Sequence, residues 1–396
     1  MESLEFREVL TTNILPYWLR LQDKEHGGFY GQVLADETVV QNANRGAILY
    51  GRILWTFSAA YRALAKKEYL AAANHAKDYI LNHFIDKQQG GVYWELDYLG
   101  NPVNDRKQFY ALGFVLYGLT EYVLATNDTS VLPYAIDLYH CIEDHAWDLQ
   151  SGGYIEATER DWSAISDYRL SEKDVNAPKS QNTHLHILEP YTNLYRVWPQ
   201  EEVKRSILRL IDVFKNHIIQ PSGHLGLFFD YDWNVLQRSG LSAEGGLSAQ
   251  RSASAAVPFS CGHDIEFSWL LDEACEVIGV NEDETVQRVA TAAKEGLLSD
   301  GRMEGTWWEQ CETIIGYTNI YRRFGDEESK RIAERCWQAT QQYFIDYEHG
   351  EWWEYPRLPY TATPLPLYSQ ADKAGFWKCP YHNSRLCLQI MLYETH

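Results

Sequence analysis

The chain has 396 residues and a formal net charge of −20. That balance excludes nucleic acid, whose phosphates need a basic face, and anionic membrane surfaces, and it disfavours phosphorylated substrates. Its length allows two or three domains, although a closed helical barrel of this size would be one, spanning 1–396. Fourteen Trp, 27 Tyr and 14 Phe supply flat faces with polar edges, which suit sugar rings as well as large helical cores. The seven cysteines are odd in number and scattered, as expected of reduced thiols in a cytoplasm. The first eight residues show no signal-peptide pattern, and no apolar run approaches the ~18 residues a membrane helix needs. A cytoplasmic protein is therefore expected.

Taken in order, the chain repeats one unit. A glycine turn followed by aromatic or apolar residues appears at Gly27-Gly28-Phe29-Tyr30, Gly90-Gly91-Val92-Tyr93-Trp94, Gly152-Gly153-Tyr154 and Gly223-His224-Leu225. Weaker copies follow at Asp300-Gly301-Arg302 and Gly350-Glu351-Trp352-Trp353. An amphipathic helical pattern precedes each turn, over 3–20, 68–86, 130–147, 201–219, 283–298 and 328–347. A more apolar pattern, richer in small residues, follows each, over 45–65, 105–125, 181–198, 262–280, 307–325 and 374–394. Six outer–inner helix pairs joined by short β-hairpins imply an all-α (α/α)6 barrel. A Gly/Ser/Ala-rich insertion at 239–256 interrupts the spacing and is either a lid or a surface loop.

Polar residues gather near the starts of the inner helices: Arg52, Tyr110, Asn182 with His186, His263 with Glu266, Trp307 and Trp308, and Trp377 with His382. In a barrel these starts share one mouth, where helix N-termini favour a developing oxyanion. In a helix from Gly262, His263 and Glu266 (i, i+3) share a face, so the carboxylate could fix the imidazole for acid/base work. Asn182 and His186 (i, i+4) also share a face, with His184 pointing elsewhere. Three histidines at inner-helix starts could form a zinc site, but no local metal spacing supports one, so no metal is expected. No phosphate-binding loop, dinucleotide fingerprint or nucleophile elbow occurs. Asp174, Glu189, Asp264, Glu266, Glu309 and Glu312 leave a carboxylate-based glycoside hydrolase open. The imidazoles fit proton transfer better.

Four segments carry a resemblance over nearly the whole chain. They are Arg45-Gly46-Ala47-Ile48-Leu49 through Arg52-Ile53-Leu54-Trp55, Asn182-Thr183-His184-Leu185-His186, Gly262-His263-Asp264-Ile265-Glu266, and Gly375-Phe376-Trp377-Lys378 through Pro380-Tyr381-His382-Asn383. Together they resemble the N-acylglucosamine 2-epimerase superfamily, in its cellobiose and mannose 2-epimerase branch. The resemblance implies an (α/α)6 barrel that epimerises small neutral sugars at C2, with no cofactor, as a monomer or homodimer. It implies that His263 and His382 exchange the C2 proton through a cis-enediolate, with Arg52 steadying the oxyanion. His186 with Asp174 would contact the sugar, Glu266 would support the histidines, and Tyr110, Asn182, Trp308 and Trp377 would bind the ring. The insertion at 239–256 and the short Glu304-Gly305-Thr306 link depart from the disaccharide-specific pattern. The expectation is a preference for free mannose and glucose, with cellobiose 2-epimerase, an aldose–ketose isomerase and a glycoside hydrolase as alternatives.

Overall fold

The structure, a computed structural model, describes residues 3–236, 259–357 and 371–393. Six inner helices run Ala47–Leu64, Phe109–Thr126, Gln181–Val197, Cys261–Ile278, Trp307–Phe324 and Tyr381–Tyr393. Each packs on the next, and the last returns to the first, closing a ring. Lys67–Tyr79, Leu132–Ala146, Glu201–Val213, Asp283–Ala293 and Glu327–Tyr343 each pack outside the inner helix that precedes them. The N-terminal path, Ser3–Val9 continuing through Leu10–Ile14 to Leu15–Arg20, covers the last inner helix. The architecture is an (α/α)6 barrel.

Patterning explains which helices are outside. Glu201–Val213 buries Val203, Ser206, Ile207, Leu210 and Ile211, a single stripe at helical spacing. Ala47–Leu64 instead buries every residue from Ala47 to Ala60. Small residues let the inner helices touch: a Cβ on Gly118 would lie 2.6 Å from the Gly51 carbonyl oxygen, and one on Gly113 2.6 Å from that of His186. Phe109–Thr126 is long and apolar enough to cross a membrane, contrary to the expectation that no run would be, but 83% of it is buried as an inner helix.

The glycine turns are hairpins closed by single bridges, Gln22–Phe29, Ile85–Val92, Trp147–Tyr154, Ile219–Leu225, Leu297–Met303 and Ile345–Trp352. Four of them share a device that the sequence reading missed. An aspartate in the turn accepts backbone N–H groups through one oxygen and a buried cation through the other. The pairs are Asp23–Arg45 at 2.5 Å, Asp86–Lys107 at 2.9 Å, Asp148–Lys179 at 2.8 Å and Asp346–Lys373 at 2.7 Å. Arg45, Lys107 and Lys179 sit on two-residue strands directly before an inner helix, so each pair pins a hairpin to a helix start. Before the His263 helix the polarity is reversed: His224 on the hairpin meets Asp264 on the helix at 2.7 Å, with Glu295 on its other nitrogen at 3.2 Å.

The start of the last inner helix is revised. The last inner helix begins at Tyr381, not at 374, because Pro380 removes an N–H and disfavours helical backbone at Cys379. Trp377 therefore lies on the approach to that helix rather than within it. The insertion at 239–256 lies outside the described residues.

Candidate active site

Ser260 caps the Cys261–Ile278 helix by accepting from the His263 N–H, which sets His263 in the first turn. His382 is the second residue of Tyr381–Tyr393. The Trp308 ring lies 4.7 Å from that of His263 and 5.6 Å from that of His382, so one indole joins the two imidazoles. Burial holds His263 neutral, pushed down to about 3, with the neighbouring His186 adding to the effect. Burial, then Arg52 and Arg385, holds His382 well below the usual histidine range. Both rings are thus neutral bases at pH 7.

His382 has a carboxylate behind it: its Nδ1 lies 2.7 Å from Glu312 Oε1. Glu312 is also ion-paired with Arg385, Nη2 lying 2.8 Å from Oε1, and accepts from Trp269 Nε1 at 3.0 Å. Burial raises Glu312 above the usual carboxylate range while Arg385 and Trp269 pull it back down, so beside the more strongly raised Glu266 it is the acid that ionises. A carboxylate there puts the His382 proton on Nδ1 and leaves Nε2 as the basic nitrogen. His263 has no such support. Its Nδ1 is buried without a partner among the described residues.

The expected contact between Glu266 and a histidine is not made. Glu266 Oε1 accepts from Arg385 Nη2 at 2.7 Å, and its Oε2 is buried without a partner. The charge-assisted bond to the guanidinium is stronger than one to a neutral imidazole. Burial and the Glu312 charge raise Glu266 well above the usual carboxylate range, so of the two acids Glu266 holds the proton. Glu189 also bonds Arg385 and Tyr381, and its Oε2 lies 3.1 Å from His186 Nδ1. Burial alone would raise Glu189, but Arg385 and His186 bring it down to about 2.

Arg52 is buried, 3% exposed, and donates to Tyr110 Oη at 2.9 Å and Cys379 Sγ at 3.7 Å. It lies over the Phe114 ring at 4.2 Å. No carboxylate pairs with it among the described residues, so its charge is available to a ligand. Tyr110 and Phe114 also pack on His186, with both ring pairs at 5.0 Å, and Tyr110 touches Trp377 at 6.0 Å. Arg52, Tyr110, His186 and Trp377 therefore form one continuous wall. Beside His263 and Trp308 opens a cavity of about 250 Å³, lined also by Asp174, Asn182, Tyr168 and Arg169. Asp174 stands on a loop, where it accepts from the Ser171 N–H at 2.8 Å. The structure brings Asp174 and Asn182 to this cavity rather than to the Arg52 wall.

Other candidates resolve as structural. His184 has both nitrogens engaged, Nδ1 to the Ser180 carbonyl at 2.6 Å and Nε2 to the Tyr154 N–H at 2.8 Å. Asp264 accepts from the Leu225 N–H and from His224. Glu309 closes a capping box with Thr306. Glu266, Glu312 and His382 could offer three ligand atoms to a metal, but Arg385 already bonds both carboxyls of that set. Sequence reasoning missed Arg385 and Tyr381. The available signal was an arginine one turn after His382 in the otherwise apolar run Leu386-Cys387-Leu388.

Comparison with known proteins extends over the whole barrel. The N-acylglucosamine 2-epimerase (GlcNAc 2-epimerase) family model matches residues 28–295 and 274–363. A cellobiose 2-epimerase of Bacteroides fragilis is 44% identical, the match covering 98% of each chain. One from Ruminococcus albus is 34% identical over 98% of this chain and 97% of that one. The solved cellobiose 2-epimerase of Bacillus thermoamylovorans superposes with a TM-score of 0.87 at 38% identity, covering 99% of both chains. The hairpin-pinned barrel with paired imidazoles at its mouth belongs to the N-acylglucosamine 2-epimerase family.

Proposed function

We propose that this chain is a carbohydrate 2-epimerase that inverts C2 of the reducing-end glucose of a β-linked disaccharide such as cellobiose. The observation that carries the reading is the pair of neutral imidazoles, His263 and His382, on one indole beside a guanidinium with no carboxylate of its own. A proton next to a carbonyl is weakly acidic, so its removal needs a positioned base and a cation for the oxygen that gains charge. With the sugar in its open-chain aldehyde form, one imidazole takes the C2 proton and the C1 carbonyl electrons move onto O1. Arg52 stabilises the resulting cis-enediolate. The first imidazolium gives its proton up to solvent, the other imidazole takes one from solvent and delivers it to the opposite face of C2, and O1 returns to a carbonyl.

His186, Tyr110 and Trp377 would hold the reacting sugar against Arg52. Asp174, Asn182 and Trp308 would take the second ring in the cavity beside His263. The expected preference for free mannose and glucose rested on the insertion at 239–256 and the short link before Trp307. The names of the relatives and the open cavity favour the disaccharide instead.

Proton NMR in D₂O with cellobiose, mannose and glucose offered separately tests the reading. Deuterium entering C2 of the reducing-end residue of cellobiose as its mannose epimer appears would support it. Exchange confined to mannose and glucose would move the substrate to free monosaccharides. Absence of exchange from all three would sink the epimerase reading.

A further inference from the structure

Arg385 is 2% exposed and lies one turn beyond His382 on the same helix. Its guanidinium reaches carboxyls on three other inner helices: Glu189 on Gln181–Val197, Glu266 on Cys261–Ile278 and Glu312 on Trp307–Phe324. Its faces are covered by Trp269 at 4.8 Å and Tyr381 at 4.3 Å, which holds the ion away from bulk solvent. Four of the six inner helices thus meet at one charge. Two of the three carboxyls go on to an imidazole, Glu189 to His186 Nδ1 and Glu312 to His382 Nδ1.

We propose that Arg385 is a positioning residue that fixes the tautomers of His186 and His382 by keeping Glu189 and Glu312 ionised. The argument is one of proton count. Three buried carboxyls within reach of one another cannot all ionise against a single cation, and one of them, Glu266, keeps its proton. With the guanidinium in place, Glu189 and Glu312 accept the Nδ1 protons of their histidines, and each Nε2 is left as the free base. A weaker or displaced cation would put a second proton on the cluster. Glu312 would then donate to His382 Nδ1, the ring proton would move to Nε2, and His382 could no longer take a proton from C2. A lysine cannot replace the fork, because one ammonium point charge does not span Nη1 and Nη2 contacts to separate carboxyls. The claim for His382 as a base rests on the epimerase reading, whereas the claim about tautomers does not.

The test is ring ¹⁵N NMR of full-length protein labelled at histidine, with His382→Gln and His186→Gln used to assign the two signals. Wild type is expected to show both rings neutral with the proton on Nδ1 between pH 5 and 8. In Arg385→Lys the His382 signal should move towards the Nε2–H form, and kcat on cellobiose should fall by at least about a hundredfold, within the range of a positioned acid/base. KM should change much less than kcat. A wild-type His382 with its proton on Nε2 overturns the proposal with no variant needed, which covers failure of Arg385→Lys to fold. A folded Arg385→Lys with unmoved ring signals and kcat within about twofold of wild type also overturns it, given that a lost base contributes 10²–10⁴-fold. Ring signals as expected without any C2 exchange in wild type would refute the epimerase reading and leave Arg385 in its role.

Discussion

Glu312→Gln isolates the carboxylate behind His382. In the native site Glu312 faces only donors: Oε1 takes His382 Nδ1 at 2.7 Å and Arg385 Nη2 at 2.8 Å, and Oε2 takes Trp269 Nε1 at 3.0 Å. An amide keeps one oxygen and must turn its NH₂ towards the remaining donor. The oxygen stays with Arg385 and His382, because a bond to a charged donor contributes about 1.5–3 kcal/mol against about 1 for a neutral one. The NH₂ then meets the indole N–H, leaving two buried donors unsatisfied at about 1–3 kcal/mol each, about 2–6 together. Stability should fall by that amount. On the proposed mechanism catalysis should fall for a separate reason, since an imidazolium formed at His382 would lose its counter-charge. A hundredfold drop in kcat, about 2.7 kcal/mol, is expected. Trp269→Phe separates the two effects. The double variant should regain most of the lost stability in urea unfolding but none of the lost kcat in the cellobiose assay. Recovery of kcat together with stability would refute the reasoning, because it would make the carboxylate a packing element only.

Arg52→Lys should cut kcat by about 10²–10³, the range for one lost oxyanion donor, and a rise in KM with kcat unchanged would remove Arg52 from that role. Asp23→Asn leaves Arg45, 1% exposed in its side chain, without its counter-charge; urea unfolding should show a loss of about 3–5 kcal/mol, and a loss under about 1 would show that the hairpin pins contribute little. His184 is held neutral by burial, pushed down from 6.5 to about 4, so the unfolded chain takes up its proton first as pH falls. Its contribution is therefore fully present above pH 6.5 and shrinks as pH falls towards 4, by about 1.4 kcal/mol per unit, or about 2 kcal/mol from pH 6.5 to 5. The difference in the pH slope of stability between wild type and His184→Gln measures it, and equal slopes would refute the assignment.

The barrel was legible because its signals are local. Each hairpin carries its own glycine turn, and each inner helix its own apolar run, so six copies could be counted without knowing how they meet. The hairpin pins were not legible. Asp86 and Lys107 are separated by a turn and a strand, and nothing in either neighbourhood says that the two side chains meet under the hairpin. His263 and Glu266 show the opposite error. Their i, i+3 spacing is real, yet the stronger partner for Glu266 is Arg385, 119 residues away. Local spacing states which contacts are possible, and charge decides among them once distant helices converge. At Trp377 the deciding signal was local and present, since Pro380 ends any helix approaching from 374.

The charges at the mouth also bear on what kind of sugar fits. Arg52 and Arg385 bring two positive charges, Glu189 and Glu312 two negative ones, and Glu266 with the three imidazoles none. These groups sum to zero at rest, and Arg385 is already paired with three carboxyls. Proton transfer from C2 creates an imidazolium and an enediolate together, so a neutral sugar passes through the reaction without changing the total charge. Of these two cations, Arg52 is the one without a carboxylate partner among the described residues and can meet the negative partner of that pair. A sugar phosphate would bring about −1.5 to −2 charges at pH 7 into a chain of net charge −20, and would draw Arg52 away from O1 and O2. Glucose 6-phosphate should accordingly show no C2 exchange in D₂O under conditions where a neutral sugar exchanges, and rapid exchange would mean that the mouth holds a second cation for phosphate.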